Sequence, residues 1–517
     1  MALFQKASDS NEQSDALVPK KKIPRRAILG GLMFFACMFS YVIRTNLSII
    51  IVAMVESTSN KTKAASYCAS ELLQNTTINS TKNILQDFGV RYRWAEKTQG
   101  YLLAAYFIGV LPASIPAGIL SEKFGGAKVV AFATVVPALL NLLVPVAASA
   151  DDVMPYFGVS LVFILRFLMG FFGGSVYPAL HAMIARWVPP TEKGMFVWTM
   201  QGGPFGAFVT FALCGYITST WGWTSSYYVT SGLMLIFGAI WIYLAYDTPD
   251  THPTITEAEK SYIKEQIGKT VTKNHPKLPV KKLATSVPFL ALMWAHFANM
   301  WGIYFISTNG PKYTSQIIGL NMKSGGAITG LPYIARLFSG VLFAAAGDFI
   351  RRRSIMTVGW IRRIFMIFSH VAPGICLLGM TYAGCDKVLA VVMMILALAF
   401  NGAACQTSLQ NHQDLSPNYA GSLYGIMNTF GSFPGFILPF IIGLLTDNHN
   451  GIEEWRIVFW ISAVVFLSAT VIFWLFGSAE IQPWNNVGQE GGDDEEEKMA
   501  VRKGKEGQSE DEENERL

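Results

Sequence analysis

Runs of apolar residues, each about twenty long, recur along this 517-residue chain and constrain its fold more than any other feature. A helix needs about 20 consecutive apolar residues to cross a bilayer, and inside lipid every backbone polar group must be satisfied internally. Twelve runs of that kind are read, at 27–55, 98–120, 127–148, 157–184, 195–219, 225–246, 287–308, 325–346, 355–380, 387–409, 419–444 and 456–477. They predict an all-α membrane protein with twelve transmembrane helices. Only 15% of the residues are charged, where soluble domains carry about a quarter. The N-terminus is polar, then basic (PKKKIPRR), and leads into a first run too long for the apolar core of a cleavable leader, so no leader is expected.

Lysine and arginine in short loops set the orientation. PKKKIPRR, SEKFGGAK, ARWVPPTEKG, the 247–286 segment and DFIRRRS are basic, while ASADDVMP, STWGWTSS and TDNHNGIEEW are poorer in basic charge. Both termini are therefore expected in the cytoplasm. The domains follow: a cytoplasmic tail at 1–26, a six-helix bundle at 27–246, a cytoplasmic linker at 247–286, a second bundle at 287–477 and a tail at 478–517. That last tail carries thirteen acidic residues against five basic ones and is expected to be disordered. Glycosylation acceptors support the orientation: Asn60, Asn75 and Asn79 each open an N-x-[ST] sequon in the first outer loop. Asn46-Leu-Ser fits the pattern too, but lies within a span and is expected to be unmodified.

Within the linker, Thr256-Glu-Ala-Glu259 is a capping-box pattern that predicts a short solvated helix through Gln266. The six cysteines (37, 68, 214, 376, 385 and 405) show no metal-type spacing, and no metal site is expected. Cys68 and Cys385 both fall in outer loops, where a bridge is open to them but not required.

A repeat divides the chain into two sets of six spans. Gly118-Ile-Leu-Ser-Glu122-Lys123-Phe-Gly125-Gly126-Ala-Lys128 follows span 2, and Gly347-Asp348-Phe-Ile-Arg351-Arg352-Arg353 follows span 8. Each is a small residue, an acid and then bases on a tight inner loop. Spans 5 and 11 correspond as well, through Gly202-Gly203-Pro204-Phe-Gly206 and Gly431-Ser-Phe-Pro434-Gly435. Proline removes a helical hydrogen bond and glycine lets backbones approach, so paired interruptions predict moving elements beside a central cavity.

Charged residues deep in spans point to the function. Arg44, Arg166 and Arg336 lie mid-span, and no acid lies within the twelve spans as drawn. Arg362 and Arg363 sit nearer a span end, where they are expected to snorkel. Guanidinium groups without internal partners can bond to backbone carbonyls of broken helices, or they can take an anion from solution. Arginine's planar fork suits carboxylate or phosphate. No HExxH or serine–histidine arrangement appears, and His296 and His370 read as isolated, so an enzyme is not expected.

The Gly118–Lys128 stretch resembles the loop motif of the major facilitator superfamily, where the acid caps a helix terminus and pairs with arginine. More specifically, IRTNLSIIIVAMV, AAYFIGVLPASIPAGIL, YPALHAMIARWVPPTEKG, NHQDLSPNYAGSLYGIMNTFGSFPG and EIQPW resemble its anion transporter family of sodium–phosphate cotransporters, sialin and vesicular glutamate transporters. The resemblance implies alternating access between two six-helix pseudo-repeats, with Arg44 and Arg166 holding the anion and Tyr106 near the site. It implies structural roles for His412 and Asp414. Proton-coupled members carry glutamate on span 4 where this chain has Met169 and Gly173, so glutamate-based proton coupling is not expected. Glutamate transporters have arginine and histidine where this chain has Asn299 and Leu103, and Arg336 replaces a usually uncharged residue. Arg336 is read as the second half's share of the positive site. VAMVESTSNKT resembles the sodium–phosphate branch. The expectation is a sodium-coupled phosphate symporter that needs no cofactor and contacts a small anion and lipid but no nucleic acid. It is read as a monomer, and as a plasma-membrane rather than a lysosomal or vesicular protein; the N-terminal tail lacks the acidic dileucine spacing of a lysosomal signal. The alternatives are an organic-anion carrier of lysosomes or vesicles, and a non-transporting receptor.

Overall fold

The computed structural model describes residues 24–56, 68, 89–152, 154, 156–188, 199–268, 279–320, 322–416, 419–447 and 449–485. The sequons at Asn60, Asn75 and Asn79 and the acidic tail beyond 485 lie outside the described residues. Among the described residues, ten helical segments are long and apolar enough to cross a membrane. Glu96–Phe124 and Gly202–Trp221 bring the set to the twelve expected. Span 1 is Arg25–Met54, span 2 Glu96–Phe124 and span 3 Gly126–Ser149. Span 4 is Phe157–Gly173 continued by Val176–Trp187, span 5 is Gly202–Trp221 and span 6 Trp223–Leu244. In the second half, span 7 begins as Val287–Tyr304 and span 8 is Met322–Arg352. Span 9 is Val358–Met366 continued to Ala372–Ala383, and span 10 starts as Lys387–Asn401. Span 11 is split into Ala420–Gly431 and Pro434–Leu445, and span 12 is Ile452–Phe476. Val146, Ile236, Ile242, Leu342 and Val471 stand exposed on the outside of the bundle, as lipid-facing side chains must.

Span 7 departs most from its hydropathy. After Tyr304 the chain stays helical to Ile317, as π-helical turns at Phe305–Asn309 and Tyr313–Ile317 around a short α segment, Gly310–Lys312. Gly310-Pro311 reads as a loop in the sequence. Here Pro311 stands in the first turn of its segment, where a missing N–H does no harm, and the wider π turns absorb the misfit.

The two ends of the bundle differ. At one, which we term the bridge face, Cys68 and Cys385 form a disulfide between the halves. Tyr92 there pairs its backbone with Met54 and Glu56, and burial followed by Asp152 and Asp151 pushes its phenol up to about 12. The opposite end, the linker face, carries the 247–286 connection. Its helix, Glu257–Gly268, is mostly solvated, as expected, and docks along one edge. The Glu259 carboxylate accepts from the backbone N–H groups of Arg25 (3.0 Å) and Arg26 (3.1 Å), so it caps span 1, and Ile263 is buried. The half capping box is present, with Glu259 N–H donating to Thr256 Oγ1 at 3.3 Å.

Between the halves, span 2 meets the second part of span 11, with Gly100 against the Pro439 carbonyl and Gly443. Span 8 meets span 5, with Gly326 against the Phe211 carbonyl and Gly330 against Phe208. Lipid gives helices no hydrophobic drive to associate, so such backbone approaches carry the packing. All four of these glycines lie in the bridge-face parts of their spans.

Candidate substrate-binding site

Arg44 is 7% exposed, and four aromatic rings surround its guanidinium. Its Cζ lies 4.7 Å from the Tyr41 ring centroid, 5.7 Å from Tyr106, 5.8 Å from Phe107 and 5.8 Å from Tyr304. Ring faces are negative and hold a desolvated cation without neutralising it. Among the described residues its one hydrogen bond is donated by Nη1 to Tyr304 Oη at 3.3 Å, and Nε has no partner. Tyr304 belongs to span 7, so this contact joins the two halves.

Arg166 is held quite differently. Its Nη1 donates to the Ile43 carbonyl (2.8 Å) and Asn46 Oδ1 (3.3 Å), and Nη2 donates to the Arg44 carbonyl (3.1 Å). It therefore grips the span 1 backbone around Arg44, leaving only Nε unpartnered. Asn46 extends the grip: its amide donates to Asn141 Oδ1 at 2.9 Å, and Asn141 donates to Ser231 Oγ at 2.8 Å. Asn46 is fully buried in this network, in keeping with an unmodified sequon. Arg166 is thus a positioning residue for Arg44.

Tyr106 lies over both arginines, 5.1 Å from Arg166 Cζ, and its buried Oη has no hydrogen-bond partner. A Cβ built on Gly173 would sit 2.8 Å from that oxygen. The phenol therefore fills the space into which a span 4 glutamate would project. Asn299 is completely buried with both amide atoms unpartnered, on the helix that carries Tyr304. Arg336 is 6% exposed and donates Nε to Asn401 Oδ1 at 3.0 Å. It shares Tyr41 and Tyr177 with Arg44 as electrostatic neighbours. Among the described residues no carboxylate pairs with Arg44, Arg166 or Arg336.

The motif residues sit mostly at the linker face. Gly125, at φ 99°, leaves room for Asp247, whose carboxylate accepts from Ala127 N–H at 2.7 Å and caps span 3. The side chains of Glu122 and Lys123 lie outside the described residues, while Gly118 and Asp348 are half-buried. Pro434 opens the second part of span 11 after a break at Ser432-Phe433, as expected. Pro204 likewise stands in the first turn of a helix, Gly202–Trp221, after a turn at Met200-Gln201.

Three polar features depart from sequence expectation. Arg362 does not snorkel: it is 2% exposed, and its Nε and Nη2 donate to Asp414 at 2.7 and 3.2 Å while Nη1 reaches Gln406 and Gln410. An i,i+4 row of Gln406, Gln410 and Asp414 beyond span 10 was the available signal. The histidines are not isolated: His296 and His412 face Tyr424, as does His181 from the first half at 5.0 Å, and His370 donates to the Ala295 carbonyl. Lastly, an acid does enter the bundle. Glu96, in the first turn of span 2, pairs with Lys312 beyond the drawn end of span 7.

Residues 31–439 match the profile of the Major Facilitator Superfamily. Sialin of Ovis aries is 33% identical over 492 residues, which cover 92% of this chain and 96% of that one. A putative inorganic phosphate cotransporter of Drosophila ananassae is 30% identical over 465 residues (89% and 94%), and vesicular glutamate transporter 1 of Xenopus tropicalis is 30% identical over 467 (89% and 76%). Among solved structures, a D-xylose–proton symporter aligns with TM-score 0.62 at 14% identity, over 88% of this chain and 98% of that one, which speaks for the fold alone. The chain is a multi-pass membrane transporter, not an enzyme, and belongs to the anion transporter family of the Major Facilitator Superfamily.

Proposed function

We propose that the chain carries a small oxyanion across the membrane by alternating access, with Arg44 as its principal anchor. The carrying observation is a buried guanidinium from the first half, caged by neutral rings, unpaired with any described carboxylate and touching the second half through Tyr304. A charge of this kind is costly within a membrane and is stabilised by a ligand of opposite sign. Arg166 fixes Arg44 in place, Tyr106 and Asn299 offer free hydrogen-bonding groups, and Arg336 adds positive potential from the second half. Inorganic phosphate driven by sodium at the plasma membrane is the finer reading. It is supported by the Gly173–Tyr106 packing, which leaves no room for an acid at position 173. In this reading the bridge face is external and the protein works as a monomer.

Radiolabelled phosphate uptake into expressing cells, with sodium replaced by choline, tests it. Sodium-dependent uptake that disappears in Arg44→Ala at unchanged surface abundance is the expected result. Uptake driven by acid pH or voltage and favouring carboxylates would instead establish the organic-anion reading. No flux of any tested anion from a correctly delivered protein would leave the receptor reading.

A further inference from the structure

We propose that Lys312 is a second anion-binding residue, placed at the bridge-face mouth of the pathway and occupied by Glu96 until an incoming anion takes the place of that carboxylate. The inference rests on the reading that the chain carries an anion. Lys312 Nζ lies 2.5 Å from Glu96 Oε2, with side chains only 6% and 9% exposed. It also donates to Thr446 Oγ1 at 3.2 Å, while nearby Lys97 N–H meets Asp447 at 3.3 Å. Glu96 stands on span 2 of the first half, and Lys312 on the span 7 extension of the second. The pair must part each time the halves separate at this face.

When that happens each partner keeps a helix end for support, and neither keeps a counter-charge. Glu96 is in the first turn of span 2, where the helix N-terminus favours a negative charge. Lys312 keeps only the C-terminal end of the second part of span 11, capped by Thr446, which offers a cation partial support and not a full counter-charge. Its neighbour Thr446 is a neutral hydroxyl, and a buried cation stripped of its counter-charge is strongly unfavourable. An arriving oxyanion supplies the missing charge and makes opening at this face easier. Lys312 is also well placed to pass that anion on: Tyr304, which touches Arg44, lies eight residues back on the same helix, roughly 12 Å at 1.5 Å per residue. The π-helical turns on either side of Lys312 are an independent sign, since such turns collect at functional sites. A pair that served only to hold the halves together would be replaced without loss by apolar side chains.

Two readouts separate anion capture from a plain latch. Thr314→Cys, buried two residues along from Lys312 and lining a small cavity with Ile49 of the first half and Thr329 of span 8, reports opening through labelling by a membrane-impermeant maleimide, against the background of the parent's own cysteines. Radiolabelled phosphate uptake reports KM. Glu96→Gln is expected to raise labelling with KM unchanged or lowered. Lys312→Gln is expected to raise KM roughly tenfold or more and to abolish the increase in labelling that phosphate produces in the parent, while Lys312→Arg stays near the parent. The exchange Glu96→Lys with Lys312→Glu is decisive, because it rebuilds the pair but moves the cation to the other half: labelling returns to the parent level and KM stays high. Recovery of both readouts by the exchange would overturn the proposal, as would labelling that none of these variants changes. Should the parent carry no phosphate, the phosphate reading above fails separately, and glutamate and N-acetylneuraminate replace phosphate as probes in the labelling arms.

Discussion

At the bridge face the two halves meet through charge and close backbone contact; at the linker face they meet through neutral rings. The first closure uses the Glu96–Lys312 pair, Asp447 against the start of span 2, and the Cys68–Cys385 bridge. The second brings His181 of the first half against Tyr424 of the second, with His296 and His412 packed beside the same ring. Charge is present at the linker face too, but there Arg362–Asp414 joins two parts of the second half to each other. The difference teaches a rule of construction. Buried charge within a half makes that half rigid, whereas buried charge between halves has to be re-solvated or exchanged at every cycle. A seam of neutral rings opens without leaving a bare ion behind.

The comparison breaks first at Arg362. If its charge serves one half only, Arg362→Ala removes the half-buried Asp414's partner and costs about 3–5 kcal/mol, as broken buried pairs do. The expected outcome is a large loss of folded protein, read as melting temperature in detergent, for every conformation alike. A variant that keeps its stability but changes which face opens would show that this pair also acts between the halves. Tyr424 gives an intermediate effect. Aromatic contacts contribute about 0.5–1.5 kcal/mol each, so Tyr424→Ala shifts the population toward an open linker face without unfolding the protein, and Tyr424→Phe does so far less. Labelling of the native, fully buried Cys37, an electrostatic neighbour of Tyr424, from the linker face measures both. The smallest effect belongs to Asp250, whose exposed carboxyl is held below the usual carboxylate range by Lys264 first and then Lys260. Its contribution is present above the ordinary carboxylate value and fades as pH falls through the lowered one. Asp250→Asn is therefore expected to leave melting at neutral pH unresolved from the parent, and a measurable loss would show that the linker-face surface carries more than a solvent-screened pair.

The fold was largely legible because a span is a local property: twenty apolar residues announce a helix whatever surrounds them. Arg44 and Arg166 were legible as unusual charges for the same reason. Their separate roles were not. Whether a guanidinium grips carbonyls, as Arg166 does, or faces aromatic rings, as Arg44 does, depends on residues more than a hundred positions away. Glu96 and Lys312 escaped notice because each lies past an apolar boundary, and Gly310-Pro311 disguised a continuing helix as a turn. The linker helix was placed correctly, but a Glu259 that caps its own helix and one that caps span 1 look identical in sequence.

The contact between the Tyr106 hydroxyl and Gly173 also constrains how this transporter can diverge. An acid cannot enter position 173 while the phenol occupies its space, and removing the hydroxyl first would leave an unfilled gap beside two buried arginines. Positions 106 and 173 thus behave as one locus with two mutually exclusive settings. A lineage changing its driving ion through a span 4 carboxylate has to alter both, and either single step alone passes through a poorer protein.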